Sequence, residues 1–144
     1  MMAGGHIDGR GQLGHNSHIS GSDFSESDLA ESNFINPVME RVKFSSSNLT
    51  SVLFVKAAGD GCVFDHGKMK NVRFVAESTL NKVDLRGAEA NEANFRDAKL
   101  NDAVFDEAYL HKTDFSGAEL KKASFEKARA VEAQFNKADL TYAN

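Results

Sequence analysis

The phenylalanines of this 144-residue chain recur every ten residues. All eleven fall on that spacing, with one extra residue between the sixth and the seventh. Leucine or methionine occupies most of the midpoints, so the underlying period is five residues. A helix repeats every ~3.6 residues and a strand every ~2, so neither produces this pattern. The phenylalanines are Phe24, Phe34, Phe44, Phe54, Phe64, Phe74, Phe95, Phe105, Phe115, Phe125 and Phe135.

The five positions of each repeat differ in size and charge. If the large central residue is called i, position i−2 is almost always small, and positions i−1, i+1 and i+2 carry nearly all the charge. In forms such as Ala93-Asn94-Phe95 and Ala138-Asp139-Leu140, this pattern resembles the pentapeptide-repeat family over about residues 22–143. The resemblance implies an all-β fold, a right-handed quadrilateral β-helix in which four pentapeptides form one square coil. Such a solenoid stacks its repeats into one continuous core.

Six coils follow from grouping the central residues in fours. Two opposite sides, which we call face 1 and face 3, carry the phenylalanines, with Leu85 the one exception. Faces 2 and 4 carry Leu, Met and a few small residues. We therefore expect two aromatic ladders separated by aliphatic ladders. The central residues of coils one to six span residues 24–39, 44–59, 64–80, 85–100, 105–120 and 125–140.

Three positions break the pattern. One extra residue lies within Val75-Ala76-Glu77, and we expect it to bulge outward at a corner and leave both flanking ladders in register. Gly59 takes a central position and leaves face 4 of coil two without a large side chain. Pro37 takes an i−2 position, where we expect the missing N–H to cost little because the first coil is an edge.

The first twenty residues differ from the rest in composition. Residues 1–20 hold five of the eleven glycines and three of the five histidines, and they predict a flexible N-terminal arm. Within it, Ile7-Asp8-Gly9-Arg10 reads like an engineered protease-cleavage linker, which leaves open whether the whole arm is native. Residues 21–144 are predicted to form the β-helix. The single cysteine and the lack of a long apolar stretch favour a cytoplasmic location.

No set of residues predicts catalysis. His66 and His111 fall on different faces, and no Ser/His/Asp set converges by spacing. Cys62 takes the small inward position, which is typical of an inert buried thiol. There is no glycine-rich phosphate loop. We therefore predict a protein that is not an enzyme, with no cofactor, no metal site, no direct nucleic-acid binding and no membrane association.

Face 1 is the acidic face. It carries seven carboxylates against three cations, whereas cations outnumber carboxylates on face 3. One interpretation is a solvated surface that keeps the rod soluble. The other is a row of carboxylates that imitates backbone phosphates and competes for a DNA-binding groove. The carboxylates are Asp23, Glu26, Asp65, Asp84, Asp106, Glu107 and Glu126.

Face 3 also carries branched aliphatic residues at outward positions in the first three coils. Pentapeptide outward positions are usually polar, so this aliphatic patch is a candidate docking site for a protein partner. The alternatives are that β-branched residues favour strand there, or that the N-terminal arm covers them. The patch consists of Ile35, Leu53, Val55 and Val75.

The leading functional hypothesis is a non-catalytic scaffold whose flat faces bind a protein partner. The family resemblance implies an alternative, because some members resemble B-form DNA, bind type II topoisomerases and confer quinolone resistance. A net charge of only −4 departs from that group. A second alternative is the repeat domain of a larger bacterial effector. The sequence stops in mid-pattern at Asn144, which raises either an end-to-end homodimer through the C-terminal coil or a missing extension.

Overall fold

The computed structural model describes residues 12–13 and 15–144, which form a parallel β-helix. Its one regular sheet has four parallel strands in the order β1-β2-β3-β4. These strands lie on face 3, and each of the first three pairs with the strand one coil further along the chain. They are β1 (Gln12–Leu13), β2 (Asn33–Ile35), β3 (Leu53–Val55) and β4 (Arg73–Val75).

Elsewhere the coils are joined by single parallel bridges at position i−1. Asp23 pairs with Lys43, Asp28 with Asn48, and Val38 with Ala58, one column on each remaining face. Together with the sheet, these columns make four ladders around the axis. The predicted right-handed quadrilateral β-helix is confirmed, because residue i−1 of each pentapeptide joins a ladder, residue i points inward, and residues i+1 and i+2 turn the corner.

The corners explain why the repeat is five residues long. Residue i+2 adopts a left-handed φ in nearly every repeat, for example 59° at Glu107, and the amide of the following residue often closes a turn. The amide of Ala98 thus donates to the carbonyl of Phe95 at 3.2 Å. This is a β-turn with positive φ at its third residue, which glycine usually occupies. Here Glu, Lys, Asn and Asp adopt this positive φ, because the ladders before and after each corner hold the chain in that turn.

The Asp or Asn at position i−1 has a local role in these corners. Its side chain accepts a hydrogen bond from the amide of residue i+1, as in Ser25 to Asp23 at 2.9 Å and Arg96 to Asn94 at 2.9 Å. Such Asx interactions satisfy an amide that the ladder leaves unpaired. The A-(D/N)-(L/F) signature therefore combines a small inward residue, a corner acceptor and a core side chain.

The phenylalanine rings stack along both ladders. Successive rings on one face have centroids 4.5 Å apart at the Phe54–Phe74 contact and 5.6 Å apart at Phe24–Phe44. The prediction that aliphatic residues separate the two ladders is wrong. Rings of faces 1 and 3 meet edge to face across the interior, as in Phe105–Phe115 at 5.2 Å and 85°. Since edge-to-face contact suits the ring quadrupole, the core is one connected aromatic network.

The extra residue bulges outward as predicted. Ala76 and Glu77 both have left-handed φ values, 58° and 56°, and both are exposed. Below the bulge the register resumes, since Ala58 pairs with Thr79 and Phe74 still stacks on Phe95 at 5.4 Å. The insertion therefore changes one corner and leaves the core continuous.

The other two irregular positions have local explanations. A Cβ at Gly59 would lie 3.1 Å from Met39 Cε and 3.1 Å from Leu80 Cδ2, so its neighbours already fill the space. Pro37 is buried, and it does not lie in an edge coil, because His18 pairs with Val38 one residue away. Its missing amide hydrogen matters little because the equivalent Ala57 amide closes no backbone turn and donates instead to Ser78 Oγ at 3.1 Å.

The ladder begins before the boundary that composition predicted. Gln12 and Leu13 pair with Asn33 and Phe34, so part of residues 1–20 belongs to the coil that covers the first phenylalanines. The backbone of Gln12 and Leu13 keeps the face 3 register although residues 1–20 are rich in glycine and histidine. The rest of the predicted arm, residues 1–11 and 14, lies outside the described residues. Within the described part, no helix has the length and apolarity to cross a membrane.

Candidate functional site

The aliphatic patch occupies the outer surface of β2, β3 and β4. In these strands the phenylalanine points inward, so the residues on either side point outward. Ile35, Val55 and Val75 are in register and form one column along the axis. Leu53 lies beside that column, at the other end of β3 from Val55. All four residues are half-buried, so the structure brings the predicted patch residues together as a shallow surface.

Two cations flank this patch. Lys56 follows Val55 at the corner, and Arg73 precedes Phe74 on the outer surface of β4; both side chains are exposed. Within residues 15–144, neither has a carboxylate oxygen within ion-pair distance. By contrast, the next cation along face 3, Arg96, is paired with Asp114 at 3.1 Å. The patch therefore has a positively charged border whose charge is not neutralised locally.

A cleft lies at the end of the column. The bulge opens a cleft of about 270 Å³ between Val75 and the next coil. Its walls include Ala76, Glu77, Asn94 and Arg96. Because Val75 belongs to both features, the patch and the cleft form one continuous surface. Apart from the extra residue that creates the cleft, nothing in the sequence indicates it.

The acidic face is less continuous than its composition indicates. Asp23 and Asp84 lie in the i−1 column, Asp65, Asp106 and Glu126 at i+1, and Glu26 and Glu107 at i+2. Cations interrupt two of these columns, since Lys43 pairs with Asp23 in the ladder and Arg86 lies between Asp65 and Asp106. The structure brings the seven residues to one side but spreads them over three columns.

Several of these carboxylates are held by local hydrogen bonds. Arg86 donates to Asp84 through its side chain and through its backbone amide at 3.0 Å. Although partial burial of Asp84 acts to raise its pKa, these bonds hold the pKa below its usual range. The pKa of Asp23 is lowered chiefly by its hydrogen bonds from Ser25. Asp106 accepts hydrogen bonds from the Ser124 hydroxyl and the Glu126 amide.

The buried polar side chains have structural roles. Cys62 is fully buried and its thiol donates to the carbonyl of Met39 at 2.7 Å. Burial raises the pKa of this thiol to about 12, so it is not a thiolate at neutral pH. Thr113 makes the equivalent contact with the carbonyl of Ala90 at 2.8 Å. Across the described residues, no group of three or more His, Cys, Asp or Glu side chains could hold a metal ion.

Sequence reasoning missed two apolar surfaces. Val38 and Ala58, both half-buried, pair on face 4 next to the patch. On face 2, Tyr109 is exposed and Arg129 lies over its ring, 5.2 Å from the centroid. The only signal for either was an apolar residue at an outward position.

The family that matches this sequence is consistent with the fold. A family model described as a pentapeptide repeat region matches residues 60–135, just over half of the chain. This chain therefore belongs to the pentapeptide-repeat family. Its members are generally structural or binding proteins. A search of curated proteins found no match to this sequence.

Solved structures similar to this chain are pentapeptide-repeat proteins. Rfr23 from the cyanobacterium Cyanothece 51142 has a TM-score of 0.57 at 12% identity, covering 88% of this chain and 86% of that one. Full-length QnrB1, a plasmid-mediated fluoroquinolone resistance protein, has a TM-score of 0.50 at 17% identity, covering 92% and 76%. A protein of the Arabidopsis thaliana thylakoid lumen has a TM-score of 0.47 at 23% identity, covering 88% and 70%. At these identities the matches show the fold alone.

Proposed function

We propose that this protein is a non-catalytic scaffold that binds a protein partner through the aliphatic patch. The observation that carries the proposal is the patch itself, Ile35, Leu53, Val55 and Val75 held together on a rigid sheet. Four apolar side chains grouped on one face are typical of an interaction surface. A rigid rod presents such a surface without an ordering cost on its own side, which favours binding.

Photo-crosslinking in cells of the source organism tests this proposal. A photoreactive amino acid replaces Val55 in one variant and Val104 in another, since both valines are half-buried but lie on different faces. We expect one discrete crosslinked protein from the Val55 variant and none from the Val104 variant. The same product from both positions, or no product from Val55, would refute a partner site on face 3.

A second candidate function follows from the acidic face. The fold is shared with QnrB1, whose name records fluoroquinolone resistance, and face 1 carries an excess of carboxylates. We therefore also consider a DNA-mimicking regulator of a type II topoisomerase. This reading predicts inhibition of gyrase supercoiling that weakens when Asp84, Asp106 and Glu107 are changed to Lys. No inhibition at micromolar protein would exclude it.

An end-to-end homodimer through the C-terminal coil stays a prediction. In the described structure this coil is the most exposed part of the core, with Phe125 and Phe135 only half-buried and Leu140 41% exposed. Light scattering across a concentration series is the measurement that decides it. A mass that rises to twice the monomer and falls when Leu140 is changed to Glu would support the dimer. A constant monomer mass would contradict it.

A further inference from the structure

The aliphatic patch has a regular geometry that limits what can bind it. Ile35, Val55 and Val75 repeat once per coil, and neighbouring strands of a sheet lie about 4.8 Å apart. A helix laid along the axis presents side chains at i, i+3 or i+4 and i+7 with a pitch of about 5.4 Å. An extended strand laid the same way presents same-side residues about 6.7 Å apart. The helix matches the column more closely.

The charges beside the column indicate which kind of helix. Lys56 and Arg73 are exposed, flank the apolar residues, and have no ion-pair partner within the described residues 15–144. A partner with carboxylates beside its apolar row would neutralise both, whereas a basic partner would be repelled. Two carboxylates also lie near the cleft end of the surface, Glu77 and Asp97. The Asp97 carboxylate is directed over Gly117 toward the next coil, away from the column.

The cleft gives the partner helix an end point. It continues the column beyond Val75 and could admit one further side chain between Ala76 and Arg96. Apolar anchors in a row with one in a pocket are typical of helix recognition. Because its three residues repeat once per coil, the column is long enough for about two turns of helix.

We propose that the aliphatic patch binds an acidic amphipathic helix of a partner protein, laid along the β-helix axis. The apolar row of that helix packs on Ile35, Val55 and Val75, and its last apolar residue enters the cleft beside Ala76. Its flanking carboxylates pair with Lys56 and Arg73. This inference deepens the proposed scaffold function and rests on it, because it names the chemistry of the partner.

Binding of designed peptides tests the proposal directly. The probe is a stapled helical peptide with leucine along one face and glutamate on both flanks. One control peptide replaces every glutamate with lysine, and another scrambles the glutamate peptide so that its leucines no longer share a face. Chemical-shift changes in the ¹⁵N-labelled protein report where each peptide binds, and the titration gives its Kd.

We expect the glutamate peptide to shift resonances of β2 to β4 and to bind at least about tenfold more tightly than either control. Val55→Asp should abolish this binding, whereas Val104→Asp, which changes a half-buried valine on face 1, should not. The exposed pair Lys56→Glu and Arg73→Glu should reverse the preference toward the lysine peptide. Because that double variant changes only surface side chains, it tests the charges without risk to the core.

Four results would overturn the proposal, and three of them come from the peptide titrations. They are equal binding of the glutamate and lysine peptides, shifts that map to another face, and the absence of binding by any peptide. Self-association of the protein that Val55→Asp abolishes would also overturn it, and would assign the patch to a second copy. A crosslinked partner in cells together with peptide failure would refute the acidic helix and leave the scaffold function standing. Peptide binding without any crosslinked partner would refute the scaffold function instead.

Discussion

The two halves of face 3 contain the same phenylalanine ladder but different corners. In coils one to three, the outward residues include the aliphatic patch on regular strands, and the Ala57 amide after the corner closes no backbone turn. In coils four and five, Asn94 and Asp114 accept a hydrogen bond from the amide of residue i+1, and the amides of Ala98 and Ala118 close the backbone turn. The extra residue lies between the two halves, at the point where one kind of corner replaces the other.

One aromatic core is therefore compatible with two hydrogen-bonding arrangements of the corner amides. Where the i−1 residue is Leu53 or Arg73, no side-chain acceptor is present and the parallel register continues through residue i+1. At Asn94 and Asp114 the side chain accepts a hydrogen bond from that amide and pairing is a single bridge, whereas Asn33 lies within regular strand β2. The extended form leaves outward positions free for apolar residues, which is how the aliphatic patch arises.

The largest expected effect concerns what both halves share. Phe54→Asp and Phe115→Asp each place a charge in a dry aromatic ladder, where neither residue is exposed to solvent. We expect either change to abolish cooperative unfolding, a loss above about 4 kcal/mol. Thermal unfolding followed by circular dichroism measures this. Glu107→Lys is the surface control and should leave the melting temperature nearly unchanged; a native-like transition for Phe54→Asp would contradict the shared core.

A proline distinguishes the two kinds of corner. Ala98→Pro removes the hydrogen bond to the Phe95 carbonyl and should cost about 2 kcal/mol. Ala57→Pro removes only the contact to Ser78 Oγ, and Pro37 already occupies the equivalent position one coil earlier, so about 1 kcal/mol is expected. Urea unfolding of the two variants gives the comparison. Equal losses would show that the corners do not differ energetically.

Removal of the Asx interaction in the second half of face 3 has a smaller expected effect on stability. Asp114→Ala leaves the Ser116 amide without its side-chain acceptor and should destabilise the protein by about 1 kcal/mol. Asp114→Asn keeps an acceptor oxygen in place and should destabilise the protein by only a few tenths of a kcal/mol. The matched pair is measured by urea unfolding at neutral pH. A loss as large for Asn as for Ala would assign the effect to the ion pair with Arg96 instead.

The smallest expected effect is on pH dependence. Burial of Asp114 acts to raise its pKa, but hydrogen bonds from Ser116 and Arg96 hold it below its ordinary value, and the pKa of Asp84 is lowered in the same sense. A lowered folded-state pKa contributes stability that is present at neutral pH and is lost as the pH falls below about 4. Unfolding measured from pH 7 to pH 2 should show this decline. Asp114→Asn should make the acid limb less steep, and an unchanged slope would contradict the assignment.

The sequence determined the coil, the inward residues and the outward bulge, because a residue that must be buried once every five positions leaves a pattern that survives without coordinates. It also identified the aliphatic patch, since apolar residues at outward positions break that pattern. It failed on the contact between the two phenylalanine ladders, because ring orientation depends on the width of the coil and not on spacing. It also placed the start of the ladder too late, since composition does not report register.

The surroundings of each surface residue, by contrast, depend on how the coils stack in three dimensions. The sequence counts the carboxylates of face 1, but the structure distributes them over three columns and pairs Asp84 with Arg86. In the structure, Lys56 and Arg73 have no ion pairs among the described residues, and a cleft lies beside Val75. Charges and cavities depend on distances across coils that are about twenty residues apart in the chain, whereas the repeat that builds those coils is local and can be read directly.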